Sequence, residues 1–192
     1  MVATIPYKDD TKNKMNNNHP ERKRTRLRGY DYSAAGCYFV TVCTQNRIEC
    51  LCTIENELVV LNEYGEIVKE QWLWLEQQYD YVQLDEWIIM PNHFHGIIVI
   101  KSNDDVGNGR DRSLQSQTPQ KKIKPLSEII GAFKTTSSKR IHLSGLFEFR
   151  WQKSFYDHIV RNEESLNKIR EYIIRNPIKW EMEKNNPENI LM

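Results

Sequence analysis

Residues 82–101 read Val-Gln-Leu-Asp-Glu-Trp-Ile-Ile-Met-Pro-Asn-His-Phe-His-Gly-Ile-Ile-Val-Ile-Lys. Two β-branched, apolar runs, Val82 to Met90 and Phe94 to Lys101, flank Pro91-Asn92, a pair suited to an antiparallel turn. The stretch predicts two paired strands. Successive side chains of a strand point to opposite faces, so His93 and His95 project together while Phe94 turns into a core. Two imidazoles on one face can grip one ion, although a lone His-x-His is equally a polar sheet surface, and a ligand set needs further members.

Working outward, Gly36 to Gln45 is β-branched and aromatic and reads as a central strand. Cys50 to Leu61 reads as a small hairpin turning at Glu55-Asn56-Glu57. Asn62 is placed to cap a helix reaching about Tyr79, with Ile67, Trp72, Leu75 and Tyr79 on its apolar face. After the strand pair, Pro125 opens a helix to about Ile141 that turns Leu126, Ile129, Ile130 and Phe133 inward and Lys134, Lys139 and Arg140 outward. Phe149 to Val160 contains a further strand. Asn162 caps the last long helix, from Glu163 to about Asn176, which Pro177 is expected to end. The order strand, helix, strand, strand, helix, strand predicts an α+β fold: a ferredoxin-like (RRM-like) antiparallel sheet with helices on one face, followed by one extra C-terminal helix.

The 192 residues suit one compact domain. Expected organisation is a disordered leader (1–21), a single domain (22–186) with a mobile insertion at about 102–124 rich in Asn, Asp, Gly, Ser and Gln, and a short tail (187–192). Lysine plus arginine (27) nearly balances aspartate plus glutamate (26), so any nucleic-acid surface must come from local clustering. No stretch reaches the roughly 18 consecutive apolar residues of a membrane span. The polar N-terminal stretch lacks the apolar core of a secretory signal, and a cytoplasmic protein is expected. Cys37, Cys43, Cys50 and Cys52 fall in one early segment without zinc-finger spacing, which argues against a disulfide framework and a structural zinc.

Arg22, Lys23, Arg24, Arg26 and Arg28 run into Tyr30 and Tyr32. Such a combination can hold a phosphate backbone and stack a base; it is also what a solvated arm ahead of a strand looks like. On the last helix Tyr172 and Asn176 lie one turn apart, beside the stripe Leu166, Ile169 and Ile173 that should pack on the sheet. There a phenol can reach a cleft and an amide oxygen a metal. The plainer alternative is a boundary aromatic followed by a helix-ending asparagine. Trp151-Gln152 reads as a packing corner and His158 as an ordinary hydrogen-bonded histidine. Tyr156, on the same strand face as His158, is a competing nucleophile without an amide one turn later.

Taken together, Pro91-Asn92-His93-Phe94-His95-Gly96, Trp151-Gln152, Asp157-His158 and Tyr172-Ile173-Ile174-Arg175-Asn176-Pro177 resemble the single-tyrosine HUH transposases, and within them most the REP-associated tyrosine transposases. Arg26-Leu27, Tyr30-Asp31-Tyr32 and Tyr38-Phe39-Val40-Thr41 extend the resemblance over about Arg26 to Trp180. The resemblance implies a metal held by His93, His95 and Asn176, at a position where many relatives carry glutamine, and Tyr172 as nucleophile on the C-terminal helix. It implies nicking and strand transfer of hairpin-bearing single-stranded DNA through a 5′-phosphotyrosine, with Mg²⁺ or Mn²⁺, without a nucleotide cofactor, and as a homodimer. DNA contacts are expected from Arg22, Lys23, Arg24, Arg26, Arg28, Tyr30, Tyr32, Lys134, Lys139 and Arg140. Two other classes remain open on the residues: a non-catalytic binder of structured single-stranded DNA, and a hydrolytic metallophosphoesterase in which water replaces the tyrosine.

Overall fold

The computed structural model describes residues 27, 29–102 and 122–184. The leader, the arginines and lysine at 22–28, most of the insertion and the tail lie outside these residues.

Strand β1 (Gly36–Cys43) is followed by a tight turn at Gln45–Arg47 and a two-stranded hairpin of β2 (Cys52–Glu55) and β3 (Leu58–Leu61). Its turn residues Asn56 and Glu57 both take positive φ (52° and 65°), as a two-residue connection matched to strand twist requires. Helix α1 (Glu63–Gln78), strands β4 (Val82–Met90) and β5 (His93–Ile100), helix α2 (Leu126–Leu143), strand β6 (Tyr156–Val160) and helices α3 (Glu163–Ile174) and α4 (Asn176–Lys184) complete the order. The main sheet runs β4-β5-β1-β6, with every neighbouring pair antiparallel. With the small hairpin set aside, this is the ferredoxin-like arrangement expected from the element order.

Asn62 caps α1 by accepting from the Tyr64 and Gly65 amides at 3.0 Å. The entry of α1 is so close to the preceding chain that a Cβ on Gly65 would overlap the Leu51 carbonyl. Between the sheet and α1 and α2 lies the larger core, built on Trp72, Phe94 and Phe133 with Tyr38, Val40 and Ile98. Trp72 and Phe94 ring centroids are 4.5 Å apart. Gly96 permits that contact, because a Cβ there would come within 2.7 Å of both rings. Burying side chains of this size contributes about 1.5–3 kcal/mol each. On the opposite sheet face, Ile173, Leu166 and Ile169 of α3 pack on Phe39, Ile97 and Val160. That is the stripe expected from helical spacing.

The strand expected within Phe149 to Val160 is β6, at the end of that stretch; the residues before it do not continue the ladder because they bond elsewhere. The Lys134 ammonium takes the carbonyls of Gln152 (2.6 Å) and Lys153 (3.1 Å), and Trp151 forms a single bridge to Thr44 while its Nε1 donates to Ser137 Oγ at 3.0 Å. Nor does Pro177 terminate helical structure. Helix α3 stops at Ile174 and α4 begins at Asn176, with Pro177 in its first turn, where a missing N–H costs nothing. Asn176 is therefore the first residue of a new helix rather than the end of the old one. Helix α4 lies against the hairpin, where Glu181 Oε2 accepts from the Glu57 amide at 2.8 Å.

Candidate active site

Alternation along β5 puts His93 and His95 on the sheet face opposite Phe94, with ring centroids 4.6 Å apart. Register with β1 sets Cys43 opposite His93 and Thr41 opposite His95, and Thr41 is in turn opposite Tyr156 of β6. Neighbouring strands thus supply the floor of one cleft. Each ring is fixed through its Nδ1: that of His93 lies 2.8 Å from Asn92 Oδ1, and that of His95 lies 2.8 Å from Thr41 Oγ1. An Nδ1 engaged in this way leaves Nε2 as the ring nitrogen available to a further partner. Phe39 stacks on His95 at 5.4 Å and closes one side.

Both imidazoles are held neutral. Burial, followed by the Arg47 charge, lowers His93 to about 4, partly opposed by a hydrogen bond to Asn176. Burial, the neighbouring His93 and Arg47 lower His95 to about 3. A neutral imidazole presents the lone pair that a metal needs.

The C-terminal helices close the cleft from above. Amphipathic packing of α3 brings the half-exposed Tyr172 over the histidines, with its hydroxyl 3.3 Å from His95 Nε2. Asn176, buried at the start of α4, hydrogen-bonds His93. Helix α3 is anchored by Arg170, whose Nε and Nη2 donate to the two carboxylate oxygens of Asp85 at 2.9 and 2.6 Å. That partnership lowers the Asp85 carboxyl below its usual range. The resulting cleft, of about 790 Å³, is lined by Phe39, Thr41, Arg47, His93, His95, Tyr156, Tyr172, Asn176, Lys179 and Trp180 among others.

His93, His95, Tyr172 and Asn176, drawn from two distant stretches of sequence, thus share one cleft. Among the described residues no three His, Cys, Asp or Glu side chains gather in a metal-binding group. A metal here would be completed by the neutral amide of Asn176. Two neutral imidazoles with oriented rings and a buried amide hydrogen-bonded to one of them fit an ion that also takes oxygen ligands from water or substrate.

The other expected contacts fare differently. Tyr30 and Tyr32 pack edge to face at 5.0 Å, and the Tyr30 hydroxyl lies 3.1 Å from that of Tyr38. Both are half-buried against the core, so they are not free stacking platforms. Tyr32 nonetheless borders a second groove with Leu27 and His158, and that groove shares Tyr156 with the cleft. Lys134 is held by carbonyls, Arg140 pairs with Glu70 at 2.6 Å, and Lys139 borders a separate groove with Arg150 and Phe147. None of the three lines the histidine cleft. Sequence reasoning missed Arg47, Lys179 and Trp180. Lys179 and Trp180 follow from continuing the helical spacing past Asn176, and Trp180 stacks toward His93 at 5.8 Å. Arg47 left no periodic signal.

No family model matches the sequence. Over 170 residues the chain is 39% identical to an uncharacterised protein of Haemophilus influenzae (strain ATCC 51907 / DSM 11121 / KW20 / Rd), covering 85% of this chain and 92% of that one. It is 24% identical over 148 residues to the REP-associated tyrosine transposase of Escherichia coli (strain K12), covering 77% and 70% of the two chains. Among solved structures, a REP-associated tyrosine transposase bound to a REP hairpin superimposes with a TM-score of 0.53 at 19% identity, over 80% of this chain and 73% of that one. That likeness is one of fold.

Proposed function

We propose that the chain is a relative of the REP-associated tyrosine transposases and that it is a metal-dependent transesterase that nicks and rejoins hairpin-bearing single-stranded DNA through a 5′-phosphotyrosine. The observation that carries this reading is the meeting of the Tyr172 hydroxyl with Nε2 of His95 at 3.3 Å, in an open cleft that His93 also lines. An isolated metal site has no need of a half-exposed phenol held there by a helix.

His93, His95 and Asn176 are the residues we assign to a divalent ion, Mg²⁺ or Mn²⁺. When bound, it supplies Lewis-acid stabilisation of the charge that builds on a reacting phosphate. Thr41 and Asn92 orient the two rings. Tyr172 is the nucleophile: its oxygen forms the new bond to phosphorus, the bond to the preceding 3′ oxygen breaks, and that oxygen leaves as a free 3′-OH carrying the proton. Phosphodiester energy is kept in the tyrosyl ester, so a second 3′-OH reverses the step without a nucleotide cofactor. Phe39 and Trp180 narrow the cleft around the reacting group. We also assign the basic run at 22–28, whose arginines and lysine lie outside the described residues, to the DNA backbone on the strength of its charge. A hairpin ligand and a homodimeric assembly complete the proposal.

The test is incubation with a hairpin-bearing single strand and Mn²⁺, followed by denaturing electrophoresis. A protein–DNA adduct that requires both metal and Tyr172 is expected. Strand cleavage with a free 5′-phosphate and no adduct would instead favour hydrolysis. Hairpin binding without cleavage would favour a binding module.

A further inference from the structure

The turn between β1 and the small hairpin holds two successive residues in the left-handed region, Asn46 (φ 56°) and Arg47 (φ 57°). Glycine adopts that conformation freely; a long side chain does so at a cost, and such residues concentrate where function over-determines the backbone. Here the turn is pinned at both ends. The Arg47 amide donates to the Thr44 carbonyl at 3.2 Å, and the Gln45 amide to the Arg150 carbonyl at 2.7 Å. Thr44 is buried, and its hydroxyl reaches the carbonyls of Ile48 (2.9 Å) and Asn92 (3.0 Å). The turn is thereby tied to the residue that directly precedes His93.

This fastening delivers Arg47 to the cleft wall, close enough for its charge to act on both histidines. Two cations line the cleft. Lys179 faces Glu183 at 3.6 Å, whereas the Arg47 guanidinium has no hydrogen-bond or ion-pair partner among the described residues. An unpartnered guanidinium is a permanent charge with a planar fork of donors, a geometry that matches two non-bridging oxygens of a phosphodiester. A positive group with that shape, held at a strained position in the wall of the cleft that Tyr172 also lines, is more than a solvated surface arginine requires.

We propose that Arg47 grips the non-bridging oxygens of the phosphodiester attacked by Tyr172, and so is a catalytic residue of the site. The assignment rests on the cleavage reading above. It gives the cleft a charge that belongs to the chain itself, fixed before DNA arrives. It also accounts for a non-glycine residue in a left-handed turn.

The experiment compares the parent with Arg47→Ala, Arg47→Gly and Arg47→Lys. It measures hairpin-DNA affinity and the single-turnover rate of adduct formation at saturating DNA with Mn²⁺. Arg47→Ala and Arg47→Gly are expected to lose about 10²–10³-fold in the saturated rate, the scale of removing one oxyanion donor, with Arg47→Lys falling between them and the parent. Glycine suits the backbone of this turn, so Arg47→Gly should unfold at a urea concentration equal to or above that of the parent, which separates loss of contact from loss of fold. A parental saturated rate in Arg47→Ala, or a defect confined to affinity, overturns the assignment while leaving the cleavage reading intact. Absence of any adduct in the parent overturns the cleavage reading and this assignment with it.

Discussion

Tyr172 and His95, separated by 77 positions, meet at 3.3 Å between hydroxyl and Nε2 because α3 lays its apolar stripe across the sheet face opposite α1 and α2. The partners of that contact are themselves constrained. His95 is held by Thr41, and α3 is held by the Arg170–Asp85 pair two residues before Tyr172.

The Thr41 hydroxyl orients the His95 ring from behind. Thr41→Val keeps the β-branched shape and removes the bond. Under the metal assignment, calorimetric titration with Mn²⁺ should show about 10–100-fold weaker binding, with the urea midpoint little changed. An unchanged affinity would remove Thr41 from the site.

The Arg170–Asp85 pair acts on both stability and geometry. Its two hydrogen bonds are charge-assisted, but both side chains keep some solvent contact, so Arg170→Met should lower stability by only about 1 kcal/mol. Because the pair anchors the helix that carries Tyr172, adduct formation should fall more than that stability loss explains. Equilibrium unfolding and adduct yield measured on the same variant separate the two effects.

Two glycine-to-alanine substitutions in helices should have opposite signs. On α1, Gly65→Ala forces a Cβ into the Leu51 carbonyl and should cost about 1–3 kcal/mol. On α2, Gly131 faces open space, with nothing within 4 Å of where an alanine methyl would sit, and Gly131→Ala should gain up to about 1 kcal/mol from helix propensity. Urea denaturation of both variants checks the pair.

Acidity should destabilise the metal-free protein through the buried histidines. Their folded pKa values are depressed, to about 4 for His93 and about 3 for His95, below the ordinary value near 6.5. Between those limits the unfolded chain binds more protons than the folded one, so stability is full above about pH 6.5 and declines as pH falls. Urea midpoints at pH 7 and pH 5 should differ in the parent, and the difference should shrink in a His93→Gln/His95→Gln variant. Equal slopes in the two proteins would contradict the assignment.

Much of this arrangement was legible in the sequence because it depends on local periodicity. Alternation at His93, Phe94 and His95 separates two cleft-facing imidazoles from one core aromatic, and the spacing of Leu166, Ile169 and Ile173 marks the buried face of α3. Pro177 misled because its two effects look alike in sequence: it forbids continuation of α3 and at the same time favours the first turn of α4. With α4 hidden, Lys179 and Trp180 were hidden too. The Thr41–His95 bond depends on strand register between segments 54 residues apart. Arg47 depends on a turn conformation that its own residue type disfavours. Tyr30 and Tyr32 carried the composition of a stacking platform, yet the hydrophobic gain of packing on Tyr38 places them against the core.

Two tyrosines, Tyr172 and Tyr156, line the cleft. The most direct measurement is therefore to trap the adduct with a hairpin-bearing single strand and Mn²⁺, digest it, and locate the nucleotide-bearing residue by mass spectrometry. A phosphotyrosine at Tyr172 is expected, lost in Tyr172→Phe and retained in Tyr156→Phe. A nucleotide on Tyr156, or an adduct that persists in Tyr172→Phe, would contradict the assignment of Tyr172 as nucleophile.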